Sequence, residues 1–288
     1  MLLPPLLHAP SSRYSSPMLD NSAPLPSEAI DEATAPFEVY NEIGAAPVLL
    51  VCDHASRFIP PALAGLGLSE AEVCRHIAWD IGVAEVTKGL ARRLDAPAVL
   101  SRFSRLVVDP NRDVDDDTLM PAVSDGVAVP GNRDLSAAAR AARIAEFHAP
   151  YHAAVERALA ASVGWPDTNA KRAPALVSMH SFTPVMDGIE RPWQVGILWD
   201  HDGRMALPLM ETLRARGIAV GDNQPYSGRD VQGYTLRLHA ESRGLPNVLI
   251  EVRQDLIDTH HGAAEWVDVL GEALNTVRAG LEEEGPRA

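Results

Sequence analysis

The chain has 288 residues, of which 46% are hydrophobic, and a formal net charge of −14. This length allows one large domain or two small ones. A net negative charge of this size repels nucleic acid and anionic membranes, which excludes binding to either through the overall charge of the chain. No apolar run is long enough to cross a bilayer. Met1–Pro5 lacks the basic segment of a signal peptide, and two cysteines, Cys52 and Cys74, make no disulfide framework. We therefore expect a cytoplasmic protein, a monomer or small homo-oligomer, that binds a small molecule.

The first part of the chain predicts an irregular arm followed by alternating strands and helices. Residues 1–36 are rich in Pro, Ser and Ala without periodicity, which predicts a flexible or irregular arm. Ser69 followed by acidic residues is a typical helix start, and the apolar spacing from Val83 to Leu94 predicts a second helix. Short apolar runs predict strands at Phe37–Ile43, Val48–Val51, Pro97–Leu100 and Leu106–Asp109.

The second part continues the alternation after a long loop. Residues 113–134 hold many Asp, Gly and Pro residues without a period, which is typical of a functional loop. The segment Ala137–Ala161 predicts a helix kinked at Pro150. Further strands are expected at Ala175–Met179, Gln194–Trp199, Ile218–Val220 and Asn247–Val252, and helices over 203–215, 236–242 and 262–281. The pattern predicts one three-layer αβα catalytic domain over residues 37–288, with a mixed, mostly parallel sheet.

Reactive side chains follow or end three of these buried strands. His54 comes after Val48–Val51, His180 after the strand that begins at Ala175, and Glu251 falls near the end of a late strand. Because ligands bind outside the carboxyl ends of strands in α/β sheets, we expect these side chains to converge on one crevice. Asp80 lies in the segment after the first of these strands.

Two histidines and a carboxylate form a typical three-ligand catalytic zinc site. We assign His54, Asp80 and His180 as ligands and Glu251 as the base that accepts the proton of a water. Alternatives remain open from the residues alone. Asp80 could be a helix N-cap, Glu251 could pair with Arg253, or the two carboxylates could exchange roles. Manganese, iron or cobalt could also occupy such a site.

Five sequence blocks carry a resemblance to a known family. They are Val-Cys-Asp-His-Ala-Ser at 51–56, His-Ile-Ala-Trp-Asp-Ile-Gly at 76–82, Ser-Arg-Leu-Val-Val-Asp-Pro-Asn-Arg at 104–112, Met-His-Ser-Phe at 179–182 and Ile-Glu-Val-Arg-Gln-Asp-Leu-Ile at 250–257. Together they resemble the N-formylglutamate amidohydrolase family, from about residue 45 to 275. The resemblance implies hydrolysis of an N-formyl or N-acyl amino acid on a zinc-peptidase-like α/β fold. The layout also resembles zinc-dependent N-acetylmuramoyl-alanine amidases, whereas Arg57 departs from the small or amide residue expected there.

Residues near these blocks are candidates for substrate binding. Arg105 and Arg112 could read a substrate carboxylate through their planar guanidinium groups, with Asn111 as a neutral donor. Alternatively, these arginines form a structural network with the neighbouring aspartates at 109, 113 and 115. Ser181, Tyr226 and Ser227 complete the substrate-binding set. The resemblance also implies His239 as an oxyanion-stabilising or substrate-binding residue.

The leading hypothesis is a zinc-dependent amidohydrolase acting on a small anionic N-acyl amino acid. N-formylglutamate, cleaved to formate and glutamate in histidine degradation, is the substrate that the resemblance implies. Two alternatives remain: a peptidoglycan amidase of the N-acetylmuramoyl-alanine type, and a metal-free ligand-binding protein on the same fold. The second alternative would have lost a metal ligand, but all the proposed ligands are present.

Overall fold

We analysed a computed structural model of the protein, which describes residues 35–162, 174–229 and 233–284. The predicted N-terminal arm, residues 1–36, lies outside the described residues except at its last two positions. The strands are β1 Phe37–Tyr40, β2 Val48–Cys52, β3 Ala98–Ser101, β4 Val123–Ser124, β5 Val127–Ala128, β6 Ala175–Phe182, β7 Val185–Met186, β8 Ile189–Glu190, β9 Val195–Leu198, β10 Val220–Asp222 and β11 Asn247–Arg253. The α-helices are α1 Glu70–Val73, α2 Val83–Leu94, α3 Ala137–Arg143, α4 Ala149–Ala161, α5 Ala206–Ala215, α6 Tyr234–His239 and α7 His260–Glu284.

Seven of these strands form one mixed sheet in the order β1-β3-β2-β6-β11-β9-β10. The four central strands, from β3 to β11, are mutually parallel, whereas β1 and β9 run antiparallel to their neighbours β3 and β11. The short strands β4–β5 and β7–β8 form two separate hairpins. The predicted mixed, mostly parallel α/β sheet is therefore confirmed.

The alternation of side chains along β2 explains the two layers of helices. Leu50 and Cys52 point into a core shared with α2, α5 and α7, whereas Leu49 and Val51 point into a second core shared with α4 and α6. All four residues are fully buried. Successive side chains of a strand point to opposite faces, so a run of apolar residues requires cover on both sides of the sheet.

The predicted strand Leu106–Asp109 is wrong. These residues are buried, but they form a turn in which the Val107 amide donates to the Ser104 carbonyl over 2.9 Å. Side chains satisfy the carbonyl groups that a neighbouring strand would otherwise bind. Asn132 Nδ2 donates to the Leu106 carbonyl over 2.9 Å and Arg143 Nη1 donates to the Val107 carbonyl over 3.2 Å. Burial therefore produced the apolar run here without sheet pairing.

The predicted helix over 137–161 is interrupted one turn before its proline. A π-helical segment, Ile144–His148, separates α3 from α4, and Pro150 follows in the first turn of α4. Proline has no amide hydrogen and its ring crowds the preceding turn, so a wider turn at this point avoids the clash.

At Ser69 the predicted helix start is confirmed, because Ser69 and Glu72 form a capping box on α1.

Within the described ranges, no helix combines the length and the apolar character needed to cross a membrane.

Candidate active site

The carboxyl ends of β2, β6 and β11 open onto a cavity of about 590 Å³. His54 follows β2, as predicted, whereas His180 and Glu251 lie inside β6 and β11, because these strands pair with each other as far as Phe182 and Arg253. The wall of the cavity includes ten of the eleven predicted site residues: His54, Asp80, Arg105, Asn111, Arg112, His180, Ser181, Tyr226, Ser227 and Glu251.

His54, Asp80 and His180 meet closely enough to hold one metal ion. Their candidate ligand atoms lie within 4.8 Å of one another, and all three side chains are buried. The Asp80 Oδ2 atom is 2.9 Å from His180 Nδ1 and 3.3 Å from His54 Nδ1. The centroids of the two imidazole rings are 4.8 Å apart. Two imidazole nitrogens and one carboxylate oxygen form the donor set of a three-ligand catalytic zinc site, so these residues fit a divalent cation.

A tight turn before α2 fixes the position of Asp80. Gly82 adopts a φ of +79°, and a Cβ atom there would lie 2.0 Å from the carbonyl oxygen of Ile257, so glycine is required. The Asp80 amide donates to the His54 carbonyl over 3.0 Å, and Asp80 Oδ2 accepts from the Ser181 amide over 3.2 Å. Because Gly82 is the N-cap residue of α2, the alternative that Asp80 caps this helix is wrong.

Two buried aspartates that were not among the predicted site residues orient the two histidines. His54 Nε2 donates to Asp109 Oδ1 over 2.7 Å, and His180 Nε2 donates to Asp53 Oδ2 over 3.1 Å. Each imidazole is therefore held by its Nε2 atom while its Nδ1 atom faces Asp80. Carboxylates in this position fix the ring orientation of a metal-binding histidine and increase its basicity. A sequence signal existed, since Asp53 and Asp109 belong to the blocks that carry the family resemblance.

Asp53 accepts several hydrogen bonds at the centre of the fold. Its Oδ1 atom accepts from Tyr151 and Thr235 hydroxyl groups, each over 2.8 Å, and its Oδ2 atom accepts from Ser178 over 3.3 Å. Burial by itself raises the pKa of a carboxyl group, but the hydrogen bond and the charge of His180 outweigh it and lower the pKa of Asp53 to about 2. Asp53 is therefore ionised at neutral pH.

The charge state of His180 follows from its two carboxylate partners. Burial by itself lowers the pKa of an imidazole, but the hydrogen bonds to Asp53 and Asp80 outweigh it and raise the pKa of His180 to about 10. Together with the charge of His54, His180 also holds the pKa of Asp80 well below its usual range, against the effect of burial. A cation at this site must therefore displace a proton from His180, so cation binding is coupled to pH.

Glu251 has the properties of a group that exchanges protons near neutral pH. Its side chain is 7% exposed, and its Oε2 atom has no hydrogen-bond partner among the described residues. Burial is the main cause that raises the pKa of Glu251 to about 7, and the charge of Asp80 adds to it. Arg253, the alternative partner considered from the sequence, instead donates to Asp255 over 2.8 Å.

The two candidate arginines occupy different environments in the wall. Arg105 donates to Asp109 Oδ2 from Nε over 3.1 Å and from Nη2 over 2.8 Å, and its Nη1 lies 3.6 Å from Asp80. The structural network considered from the sequence is therefore present at Arg105. Arg112 donates to the Thr118 hydroxyl over 3.1 Å and to the Asn111 carbonyl over 2.9 Å.

The remaining polar candidates are held by hydrogen bonds to the loops of the wall. Asn111 Oδ1 accepts from the Thr235 amide over 3.1 Å, and the Ser181 hydroxyl donates to the Ile81 carbonyl over 2.9 Å. The Tyr226 hydroxyl accepts from Arg191 Nη1 over 3.1 Å. The Ser227 hydroxyl accepts from the amide of residue 229 over 3.1 Å. These contacts fix the orientation of the side chains around the cavity.

His239 lies behind the cavity wall and is not among the residues that line the cavity. Its Nε2 atom is 3.0 Å from Nδ1 of His152, and His152 Nε2 donates to the Pro110 carbonyl over 2.9 Å. Since Nε2 of the neutral His152 carries the hydrogen, its Nδ1 accepts from His239. Burial lowers the pKa of both rings, that of His152 to about 3. The contacts of His239 towards the cavity therefore run through His152 and the loop at Pro110, and its expected role towards the substrate stays a prediction.

The aperiodic segment 113–134 contributes to the cavity, in agreement with the expectation that this loop is functional. Its hairpin β4–β5 places Val123, Ser124, Asp125 and Gly126 in the wall. His76, which we had not predicted as a site residue, also lines the cavity, with its Nε2 atom 3.5 Å from Asp125. The sequence signal was the same as for Asp53 and Asp109, since His76 begins one of the blocks that carry the family resemblance.

Comparisons with known proteins test the family resemblance of this chain. The family model for N-formylglutamate amidohydrolase matches residues 46–258. The gene product Atu2144 from Agrobacterium tumefaciens, a solved structure, is 37% identical over 86% of this chain and 97% of that chain, with a TM-score of 0.81. The N-formylglutamate amidohydrolase from Ralstonia eutropha JMP134 shares the fold, with 18% identity over 87% of this chain and 100% of that chain and a TM-score of 0.60. A search of curated protein sequences finds no match. Because the family model covers most of the chain, including all three candidate metal ligands and Glu251, the chain belongs to the N-formylglutamate amidohydrolase family.

Proposed function

We propose that the protein is a metal-dependent amidohydrolase that cleaves the amide bond of a small N-formyl or N-acyl amino acid, with N-formylglutamate as the reference substrate. The observation that carries the proposal is one cavity in which two imidazole Nδ1 atoms converge on Asp80, beside a buried Glu251 whose Oε2 atom has no partner in the described part of the chain. Membership of the family supports the same reaction class.

His54, Asp80 and His180 would hold one divalent cation, and zinc is the first choice for two imidazoles and a carboxylate. Such a cation supplies Lewis acidity, which lowers the pKa of water and polarises a carbonyl group. Asp53 and Asp109 keep the two rings oriented through their Nε2 atoms. The ligand atoms therefore do not have to be ordered when the cation binds.

Glu251 would move the proton that the hydrolysis requires. Its carboxylate accepts a proton from the attacking water, whose oxygen forms the new bond to the acyl carbon, and passes it to the nitrogen as the C–N bond breaks. The products are a carboxylic acid and the free amine of the amino acid. A pKa raised to about 7 suits both halves of this transfer, because the group then accepts and releases protons with little bias near neutral pH.

Arg112 is our candidate for reading the α-carboxylate of the substrate. Its contacts to Thr118 and to the Asn111 carbonyl hold the guanidinium at the cavity wall. A planar guanidinium group gives two parallel hydrogen bonds to a carboxylate.

The test is hydrolysis of N-formyl-L-glutamate and N-acetyl-L-glutamate by chelator-treated and zinc-reloaded protein, measured as free amine and free acid. We expect equimolar release of both products by the reloaded protein, little release after chelation, and release about 10²- to 10⁴-fold slower by zinc-loaded Glu251→Gln. The proposal would be overturned if the reloaded protein hydrolyses no N-acyl amino acid, or if the chelated protein is equally active.

A further inference from the structure

The mouth of the cavity exposes apolar side chains. Across the described residues, large hydrophobic side chains are exposed at six positions, namely Ile43, Val123, Val185, Ile189, Leu207 and Tyr226. Two of them, Val123 and Tyr226, line the cavity, and two more lie on the hairpin β7–β8, whose Met186 and Asp187 also line it. Exposed apolar residues that cluster at one site mark a binding surface more often than scattered ones do.

Pairing within the hairpins identifies which apolar residues face the cavity. Met186 pairs with Ile189 across β7 and β8, so these side chains lie on one face of the hairpin. Because Met186 lines the cavity, that face is the inner one, and Ile189, which is 70% exposed, extends it outwards. Val185, which is 47% exposed, lies on the other face. On the opposite hairpin, Val123 itself lines the cavity and is 59% exposed.

Both hairpins have turns that fix their register. Asp125-Gly126 and Asp187-Gly188 adopt positive φ values of 44° and 72°, and of 51° and 74°. Two successive positive φ values define the tight turn that matches the twist of a two-residue hairpin. The apolar faces at the mouth are therefore held in place before a ligand arrives, which reduces the entropic cost of binding.

The volume of the cavity exceeds that of the reference substrate. N-formylglutamate has about 12 non-hydrogen atoms, which fill at most about 360 Å³ if each took the roughly 30 Å³ of a water molecule. The cavity measures about 590 Å³. The cavity therefore has room for a larger group, and the apolar side chains of Val123 and Met186 are part of its wall.

The charge on hairpin β7–β8 disfavours a second anionic group at that side of the mouth. Asp125 and Asp187 stand at the tips of the two hairpins and line the cavity beside Val123 and Met186, but Asp125 is paired with Arg75 over 2.5 Å. A side-chain carboxylate that reached β7–β8 would meet the negative charge of Asp187, whereas an apolar group would contact the methionine. Like charges placed together reject the wrong ligand.

We infer that the preferred substrates are N-acyl amino acids with one carboxylate and an aliphatic or aromatic group that contacts the inner faces of the two hairpins. The inference rests on the proposed function, which it narrows from N-formylglutamate to a more apolar substrate class. The apolar group can belong to the acyl part or to the amino acid side chain, since both substituents flank the scissile amide.

Binding to zinc-loaded Glu251→Gln protein tests the inference without turnover. Calorimetry would compare N-formyl-glutamate, N-formyl-leucine and N-formyl-phenylalanine in one series, and N-formyl-, N-acetyl- and N-hexanoyl-alanine in a second. We expect the Kd to fall about tenfold towards the apolar end of at least one series, with a negative heat-capacity change. The series that responds identifies the source of the apolar group. Equal or weaker binding of the apolar members in both series would overturn the inference.

Matched variants locate the contact. Ile189→Thr and Val123→Ser should reduce the preference for the apolar ligand over N-formyl-alanine several-fold. Val185→Thr, on the outer face of the same hairpin, and Ile43→Thr, which is 94% exposed, should leave it unchanged. The inference would also be overturned if N-formyl-glutamate bound best and Arg191→Gln removed its advantage, because Arg191, bonded to Tyr226, would then read a second carboxylate. Failure of the proposed function would appear separately, as absence of turnover by the wild-type protein.

Discussion

His180 and Glu251 stand opposite each other in the parallel register of β6 and β11. A candidate metal ligand and the proposed base are therefore neighbours across one pair of strands, about 4.8 Å apart along the hydrogen-bonding direction. Their side chains leave the same face of the sheet, and the charge of His180 partly offsets the rise in the pKa of Glu251. The proposed base and the candidate metal site therefore cannot shift independently of each other.

Glu251→Gln should retain the metal and lose turnover. Glutamine preserves the shape of the side chain but cannot accept a proton, so we expect kcat to fall about 10²- to 10⁴-fold. Metal analysis and steady-state kinetics on the same preparation would check both parts. If this variant lost the metal while Asp80→Asn kept it, the two carboxylates would have exchanged roles.

His180→Ala should abolish stoichiometric metal binding, because it removes one of three ligands and leaves Asp53 and Asp80 without their shared partner. The wild-type protein should hold one divalent ion per chain, measured by elemental analysis after dialysis. His201→Ala is the matched control, since the side chain of His201 is 90% exposed and lies on the surface. Retention of the ion by His180→Ala would refute the assigned ligand set.

Asp53→Asn should weaken the metal site without removing a ligand. The amide keeps the shape of the carboxylate but stabilises the His180 ring less, so we expect metal affinity to fall about 10- to 100-fold. Competition with a chromophoric chelator would measure the change. Asp258→Asn, at an exposed position, is the control and should retain wild-type affinity. Unchanged affinity in Asp53→Asn would mean that the hydrogen bond to His180 does not tune the site.

Arg112→Lys should separate geometry from charge in substrate binding. Lysine keeps the positive charge but loses the planar pair of donors, so we expect KM to rise for a substrate with a free carboxylate and to stay unchanged for its amidated analogue. Steady-state kinetics on the two substrates would measure this. Equal loss on both would make Arg112 a structural partner of Thr118 and move the search for the carboxylate reader to Arg105, Arg57 or Arg102.

His152 should make the protein less stable in mild acid. Burial lowers its pKa from 6.5 to about 3, so between these values the unfolded chain binds a proton that the folded chain does not. The stability due to this group is complete above about pH 6.5 and declines as the pH falls, by about 3 kcal/mol between pH 7 and pH 4.5 at about 1.36 kcal/mol per unit.

Urea unfolding of wild type and His152→Gln at both pH values would measure that decline. The variant should be less stable at pH 7, since it loses the bond to Pro110, but its free energy of unfolding should depend less on pH. His201→Gln, at an exposed position, should keep the wild-type dependence. The same pH dependence in His152→Gln would assign the acid sensitivity to other groups.

Local patterns in the sequence predicted most of the sheet. Runs such as Val48–Val51 and Val248–Ile250 are apolar because each of their residues is buried on one or the other face of the sheet. The same reasoning failed at Leu106–Asp109, where burial comes from the loop packing under α3 and the carbonyl groups bind Asn132 and Arg143. An apolar run reports burial, and sheet pairing is only one way to achieve it.

The site was predictable where chemistry depends on residue type and strand position, as for His54 and His180. Asp53 and Asp109 lie in the family blocks, but their role in holding the histidine rings escaped prediction because it depends on contacts with residues distant in the chain. The Asp53–Thr235 hydrogen bond, for example, joins residues 182 positions apart. His239 was expected in the cavity from the resemblance alone, and the intervening His152 could not be inferred without knowing how α4 and α6 pack.

The parallel pairing of β2, β6 and β11 has a consequence for how the protein reaches its active form. Asp53 bonds to His180 across 127 residues and Asp80 bonds to it across 100, so the cavity assembles only after large loops have closed. Such distant pairings slow folding. A nascent chain that ends before β11 already carries all three candidate ligands, yet β6 then has an open edge. A cation that binds only the assembled site would favour the completed fold by mass action, and cation supply during synthesis would then set the yield of folded protein.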